Sequence, residues 1–279
     1  MQIRALILVF FAALASFGYC AEIAKQGPEP DLSYVYAPIL GTGVYKAGAE
    51  KAVIFKMSLE TTVLKPQEER KYHLLLPVTL GVRETDFDDI LDGVIPDTLH
   101  SISVMPGVAR HYKPRANWLL SPSVQLGLAH DFGTSTTAAI YSANFRSLAS
   151  WPVDEGKLSW GARIRGVGQH SFETSNRQGF MQLETGLDWV IPPRIKVGDD
   201  EITFSVYTQW QRYIDNAGIK GISGERVGTE NLFYLGFTAG TIRPQKILGI
   251  RIPRLGFSVI RGDGLQAITL NLGFPLFYD

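Results

Sequence analysis

The sequence predicts an all-β fold, a transmembrane antiparallel β-barrel of about 12 strands, on three observations. Beyond the first twenty residues the chain alternates with a period of two and shows no sustained 3.6-residue period. The connections between alternating segments are short and long by turns. The last segment, AITLNLGFPLFYD, carries one apolar parity to the C-terminus.

Composition narrows the field before any segment is read. The 279 residues balance Lys+Arg 27 against Asp+Glu 27, and charged residues make up 19%, below the roughly 25% of an ordinary soluble domain. A neutral balance argues against a nucleic-acid partner, which needs clustered positive charge. One cysteine excludes a disulfide scaffold and a cysteine-ligated zinc ribbon.

The opening MQIRALILVFFAALASFGYCAE has a basic residue, Arg4, then an apolar run, then small residues. That order is expected of a secretory signal peptide over residues 1–20, too short for a membrane-spanning helix of about 20 apolar residues. Cleavage after Cys20 places Gly18 and Cys20 where small side chains are needed; cleavage after Ala21 is the other option and puts Tyr19 there. A lipoprotein signal would have Leu three positions before the cysteine and a small residue just before it, but Phe17 and Tyr19 stand there. Residues 21–32 then form a short periplasmic N-terminal segment, and 33–279 the barrel.

Twelve alternating segments follow, near 33–46, 51–64, 71–83, 100–112, 117–130, 136–149, 157–169, 179–191, 201–213, 230–242, 246–260 and 266–278. The clearest carries Trp118, Leu120, Pro122, Val124, Leu126 and Leu128 on one parity and Ser121, Ser123, Gln125 and Gly127 on the other. Segments of about 12–15 residues with two unlike faces suit tilted strands crossing hydrocarbon. A soluble sandwich uses strands of about 5–6 residues, and no repeat of about 40–50 residues marks propeller blades. With a periplasmic N-terminus, the inward turns are 65–70, 113–116, 151–156 and 243–245, with 192–200 longer. The longest connections, 84–99 and 214–229, face outward. Trp118, Trp151, Trp189, Trp210, Tyr213 and Phe145 lie toward strand ends, where aromatic girdles belong.

The terminal segment places Ile268, Leu270, Leu272, Phe274, Leu276 and Tyr278 on one parity, expected to face lipid. Within it Asn271, Gly273, Leu276 and Tyr278 resemble the assembly signal by which a last strand is offered, as an exposed edge, to the barrel assembly machinery. Pro275 removes a ladder donor, and Asp279 follows the aromatic. Twelve strands, this terminal strand, and the segments YAPILGTGVYKAGAEKAVIFKM and KYHLLLPVTLGVRETDF resemble the solitary outer-membrane autotransporter-type barrels, which lack a passenger. The resemblance would cover most of 33–279. It implies a bacterial outer-membrane location and lipid or lipopolysaccharide surroundings, and carries over no secretion activity.

The polar parity is expected to line the lumen with Arg146, Arg163, Arg165, Gln182, Glu184, Asp188, Gln209, Gln211 and Arg254. Such mixed charges either line a narrow ion path or close it by pairing across the interior. The first expectation is therefore a small or gated passive channel. The second is a structural or interaction barrel whose loops 84–99 and 214–229 meet lipopolysaccharide or a surface partner. Lipid hydrolysis around Gln169-His170-Ser171-Phe172-Glu173 is the third, disfavoured because adjacent residues on a strand point opposite ways. His73, His100, His111 and His130 are scattered. The acids Glu84, Asp86, Asp88, Asp89, Asp92 and Asp97 lack the spacing of a calcium loop. Arg261-Gly262-Asp263-Gly264 reads as a tight turn. No catalytic residues, cofactor, metal site or nucleic-acid partner is expected.

Overall fold

The computed structural model describes residues 40–47, 50–62, 71–84, 100–133, 135–173, 177–197, 200–214, 230–241, 245–247, 250–252, 254–262 and 265–276. The expected signal peptide, the 21–32 segment and loops 85–99 and 215–229 lie outside these residues. The described strands are β1 (Gly43–Ala47), β2 (Glu50–Thr62), β3 (Lys71–Glu84), β4 (Ser101–Val104), β5 (Gly107–Arg115), β6 (Trp118–Asp131), β7 (Thr136–Val153) and β8 (Gly156–Ser171). They continue with β9 (Arg177–Val197), β10 (Asp200–Ile214), β11 (Asn231–Thr241), β12 (Gln245–Ile247), β13 (Ile250–Ile252), β14 (Leu255–Gly262) and β15 (Leu265–Asn271).

Every ladder is antiparallel, and neighbours in sequence pair in the sheet except at β4–β5 and where β11 pairs with β14 past the β12–β13 hairpin. The ring closes where β1 pairs with β15, Gly43 opposite Thr269 and Ala47 opposite Leu265. Both β4 and β5 lie between β3 and β6, so they are halves of one stave. The interruption falls at Met105-Pro106, where proline lacks a ladder donor; Met105 N–H still donates to the Pro77 carbonyl at 3.1 Å. The pair β12–β13 forms a separate ladder. With one stave in two halves and two strands outside the ring, fifteen segments make a closed barrel of twelve staves. Closure removes the sheet edges that hydrocarbon would leave unsatisfied.

The alternation decides which way each side chain faces. Val124, Leu126 and Leu128 are 56%, 65% and 55% exposed on the outside, whereas Ser121 and Ser123 are buried inside. Outward tryptophans find partners on adjacent strands: Trp118 Nε1 donates to Ser147 Oγ at 2.9 Å, Trp160 Nε1 to Thr185 Oγ1 at 3.0 Å, and Trp210 Nε1 to Asn231 Oδ1 at 3.2 Å. An amphipathic ring with its N–H satisfied suits an interfacial girdle. Outer-face glycines are covered in the same way; a Cβ on Gly168 would meet the Tyr141 ring at 2.4 Å.

Five expectations need correction. Described β1 starts at Gly43, and residues 33–39 lie outside the described set. The turn 192–200 is mostly strand, since β9 runs to Val197 and Ile195–Val197 pair with β10 beyond an irregularity at Ile202/Phe204. The segment 246–260 is not one strand: the β12–β13 hairpin occupies its first part and β14 starts at Leu255, so the connection is longer than 243–245. In the sequence Pro244 precedes and Pro253 follows that hairpin, and proline lacks the N–H a continuous ladder needs. Tyr213 is 7% exposed and belongs to the interior, not the girdle. The last strand ends at Asn271, and Phe274 and Leu276, expected to face lipid, are 0% exposed.

Candidate functional site

Because the outer face is apolar, any chemistry of the barrel body belongs to the lumen. Its walls are stacked in three layers that follow directly from parity. On β8 the inward residues run Gly161, Arg163, Arg165, Val167; on β9 they run Asp188, Gly186, Glu184, Gln182, Phe180; on β10 they run Tyr207, Gln209, Gln211, Tyr213. Register holds these rows level: Arg163 opposes Glu184, and Glu184 opposes Gln211.

The layer nearest the 85–100 and 215–230 connections is apolar. Tyr45, Ile54, Ile140, Phe180, Leu232 and Ile260 form a continuous buried cluster with Tyr213 and Leu265. The Phe180 and Tyr213 rings meet edge-on at 5.3 Å. Tyr45 is fully buried, its hydroxyl donating to the Gly41 carbonyl at 2.9 Å.

The middle layer is polar and its ion pair is internal, while the Gln182 side-chain amide has no partner among the described residues. Arg163 grips Glu184 with two parallel contacts, Nε to Oε1 at 2.9 Å and Nη2 to Oε2 at 2.7 Å. Gln209 Nε2 adds a third donor to Oε2 at 2.9 Å. Arg165 Nε donates to Asn144 Oδ1 at 2.6 Å, Gln211 Nε2 donates to the Tyr213 hydroxyl at 2.6 Å, and Tyr234 donates its hydroxyl to Gln211 Oε1 at 2.7 Å. Planar guanidinium against carboxylate gives the strongest kind of ionic hydrogen bond, and the dry interior raises its electrostatic strength.

Below it lies a second apolar layer, built by the chain's own tail. After β15 the backbone turns at Gly273, whose φ of 126° is closed to most L side chains. Phe274 and Leu276 then enter the lumen and pack with Leu148, Tyr207 and the partly buried Leu119. Their seat is a trough made by Gly161 and Gly186, which face each other across the β8–β9 ladder. A Cβ on Gly161 would sit 2.9 Å from Leu276 Cβ, and one on Gly186 3.0 Å from Phe274 Cζ. At this end Arg254 Nη1 bonds Asp188 Oδ2 at 3.2 Å and Ser205 Oγ at 2.9 Å, and Ser205 meets Thr238 at 2.7 Å.

Of the nine residues expected in the lumen, Arg254 is partly exposed at 17%, and Arg146 and the other seven are buried. Glu184 and Asp188 are 1% and 0% exposed. Sequence reasoning missed the tail plug and the apolar upper layer. The signals were present: Gly161 and Gly186 on the polar parity left a void, and Gly273 with Pro275 marked the end of β15. Of the assembly-signal residues, Asn271 closes β15 with its side-chain amide on Ser258 and Thr269, Gly273 makes the turn, Leu276 fills the lumen, and Tyr278 lies outside the described residues.

Near the expected hydrolase segment, Ser171 is buried on the lumen parity and His170 falls on the other, edge-on to Phe172. Glu173 serves as a turn anchor, both carboxylate oxygens accepting the Thr137 N–H at 3.0 Å. That backbone bond holds the Glu173 carboxyl below the ordinary carboxylate range. Since the folded value lies below the unfolded one, its stabilisation is present above the unfolded value and fades as pH falls through the folded one. The Thr137 amide shift should therefore titrate below the ordinary Glu range by NMR, and Glu173→Gln should flatten that titration. Among the described residues no three His, Cys, Asp or Glu side chains come together as a metal site.

No protein-family model matches the chain, and no curated protein matches it. Among solved structures it is similar to the crystal structure of the beta domain of the Bordetella autotransporter Brka, with a TM-score of 0.47 and 10% identity over 82% of this chain and 91% of that one. The chain's own ladders make it an all-β, closed antiparallel barrel of twelve staves with an apolar outer belt.

Proposed function

We propose that this chain is an integral barrel of the bacterial outer membrane, closed in its resting form, that serves as a rigid anchor for its outward loops and not as a standing passive pore. The observation behind this reading is the filled lumen. Two apolar layers sandwich a polar layer whose Arg163–Glu184–Gln209 cluster is at most 7% exposed. A water-filled path would hydrate these charges, as it does in porins. The outward apolar belt with tryptophans near strand ends supports a bilayer setting. The described turns 116–117 and 154–155 are short at one end, and connections 85–100 and 215–230 are long at the other, which supports placing the short turns in the periplasm. The anchor reading leaves lipopolysaccharide or a surface protein as the class of partner for those loops.

The test is planar-bilayer conductance of purified protein whose folding is checked by a heat-dependent gel shift. The wild-type barrel should be electrically silent. Discrete, reproducible steps from fully folded protein would overturn the closed reading and restore the passive channel. Deleting the tip of 215–229 should leave the gel shift intact and abolish binding of the surface partner.

A further inference from the structure

The outer wall formed by β3, β5, β6 and β7 departs from a plain apolar belt near the short-turn end. A groove of about 300 Å³ opens there between Arg110, Tyr112, Leu120, Pro122 and Phe145. Its lining is almost wholly apolar apart from one cation. Tyr112 and Phe145 stand 51% and 47% exposed on its rim, and Val108 and Tyr112 place Arg110 on the outward parity of β5.

Arg110 is the feature that calls for a ligand. Its guanidinium lies over the ring of Tyr72, Cζ 5.8 Å from the centroid, its partner in the β3–β5 ladder. Its Nε is buried without a hydrogen-bond partner among the described residues. Two more cations, Lys113 and Arg115, follow at the end of the same strand, both exposed. Between Asp97 and Asp131 the chain holds no acid, and β7 adds none; the acids toward this end in the sequence are Glu60 of β2, Glu68 and Glu69 of the β2–β3 connection, and Asp154 and Glu155 of the β7–β8 turn. A lipid-facing arginine costs about 2–4 kcal/mol at the bilayer midplane, falling to about 0–1 near the interface, and a fixed anion offsets the remainder. Sideways contact with Tyr72 supplies attraction but no acceptor for the N–H groups.

We propose that this groove binds one anionic glycerophospholipid of the periplasm-facing leaflet, its phosphate on Arg110 with Lys113 and Arg115 nearby, and part of an acyl chain along Leu120, Pro122 and Phe145. At roughly 30 Å³ per water-sized group the groove takes about ten such groups, a length of chain and not a whole lipid. Pro122 suits the wall of such a groove because it presents a flat apolar ring with no N–H to satisfy. The assignment rests on the membrane reading given above.

The experiment titrates the detergent-folded barrel with dioctanoyl phosphatidylglycerol and counts bound lipid by native mass spectrometry. Wild type should retain one molecule in preference to dioctanoyl phosphatidylcholine. Arg110→Gln should weaken retention about tenfold, the size expected for losing a charge-assisted hydrogen bond, and Pro122→Trp should expel the chain while keeping Arg110. Unchanged retention in both variants, equal retention of the two lipids, or displacement by inorganic phosphate as effective as by the lipid itself would overturn the assignment. Insertion into phosphatidylcholine vesicles, followed by the heat-dependent gel shift, is run beside it. Failure to insert sinks the membrane reading, whereas insertion without lipid retention sinks only the groove.

Discussion

Glu184→Ala should destabilise the folded barrel by about 3–5 kcal/mol, because it strips a buried guanidinium of its carboxylate. Arg163 is 7% exposed and Glu184 1%, and the two contacts of 2.9 and 2.7 Å leave no room for water to take over. Gln209 would lose its acceptor at the same time, so the damage extends along the middle layer. Glu184→Gln should cost less, since it keeps the shape and an oxygen for Arg163 but loses the charge. A joint replacement, Arg163→Met with Glu184→Leu, should recover most of the loss, as replacing a whole buried pair with apolar side chains often does. Urea titration of the folded barrel in detergent, followed by the gel shift, reads all three variants. A joint variant as unstable as Glu184→Ala would show that the pair does more than satisfy itself.

The pair at the lumen's lower end provides the contrast. Arg254 and Asp188 meet at 3.2 Å with Arg254 17% exposed, and a partly solvated cation can be rehydrated when its partner goes. Asp188→Ala, which leaves only the partly solvated Arg254, should therefore cost distinctly less than Glu184→Ala.

How far the sequence carried can be judged from these same residues. Arg163, Glu184, Gln209 and Asp188 were placed in the lumen by parity alone, because a strand allows only two faces. Parity also assigned Tyr213, which shares a face with Gln211; its aromatic character suggested a girdle position, and packing against Phe180 decided otherwise. Parity does not say where a strand stops. Apolar side chains recur at alternate positions from Leu270 to Tyr278, and through Lys246–Ile260 they recur with one change of parity after Ile252, so parity alone reads each as a single strand. In the terminal segment the stop is set by backbone chemistry, at Gly273 and Pro275. Nor does parity say whether a lumen is full. That depends on summed side-chain volume around a closed ring, which becomes countable only once the register puts Gly161 beside Gly186 and leaves a trough for the tail.

That trough makes the tail the second sensitive point. Phe274→Ala should destabilise by about 3–5 kcal/mol and Leu276→Ala by about 2–5 kcal/mol, the usual range for emptying a well-packed site. The two glycines should respond unequally. A Cβ at Gly161 meets only the side chains of Leu276 and Leu148, at 2.9–3.1 Å, which can yield a little; one at Gly186 meets the Thr208 carbonyl oxygen at 2.5 Å, which cannot. Gly161→Ala should thus cost less than Gly186→Ala, in the same urea assay. Proximity can be tested separately, by cross-linking. Cysteines introduced at Gly161 and Leu276 start 2.9 Å apart at Cβ, close enough to reach disulfide geometry with a shift of under an ångström or so. Oxidation should lock the tail inside and change the unfolded protein's gel mobility. A pair that stays reduced in the folded barrel would place the tail elsewhere. Even with Phe274 and Leu276 both cut to alanine, conductance should stay silent, because the upper layer around Ile140, Phe180 and Leu232 seals the lumen independently. Steps should appear only when Phe180→Ala and Tyr213→Ala are added. Steps from the tail variant alone would make the tail the sole seal and turn the barrel into a channel gated at its C-terminus.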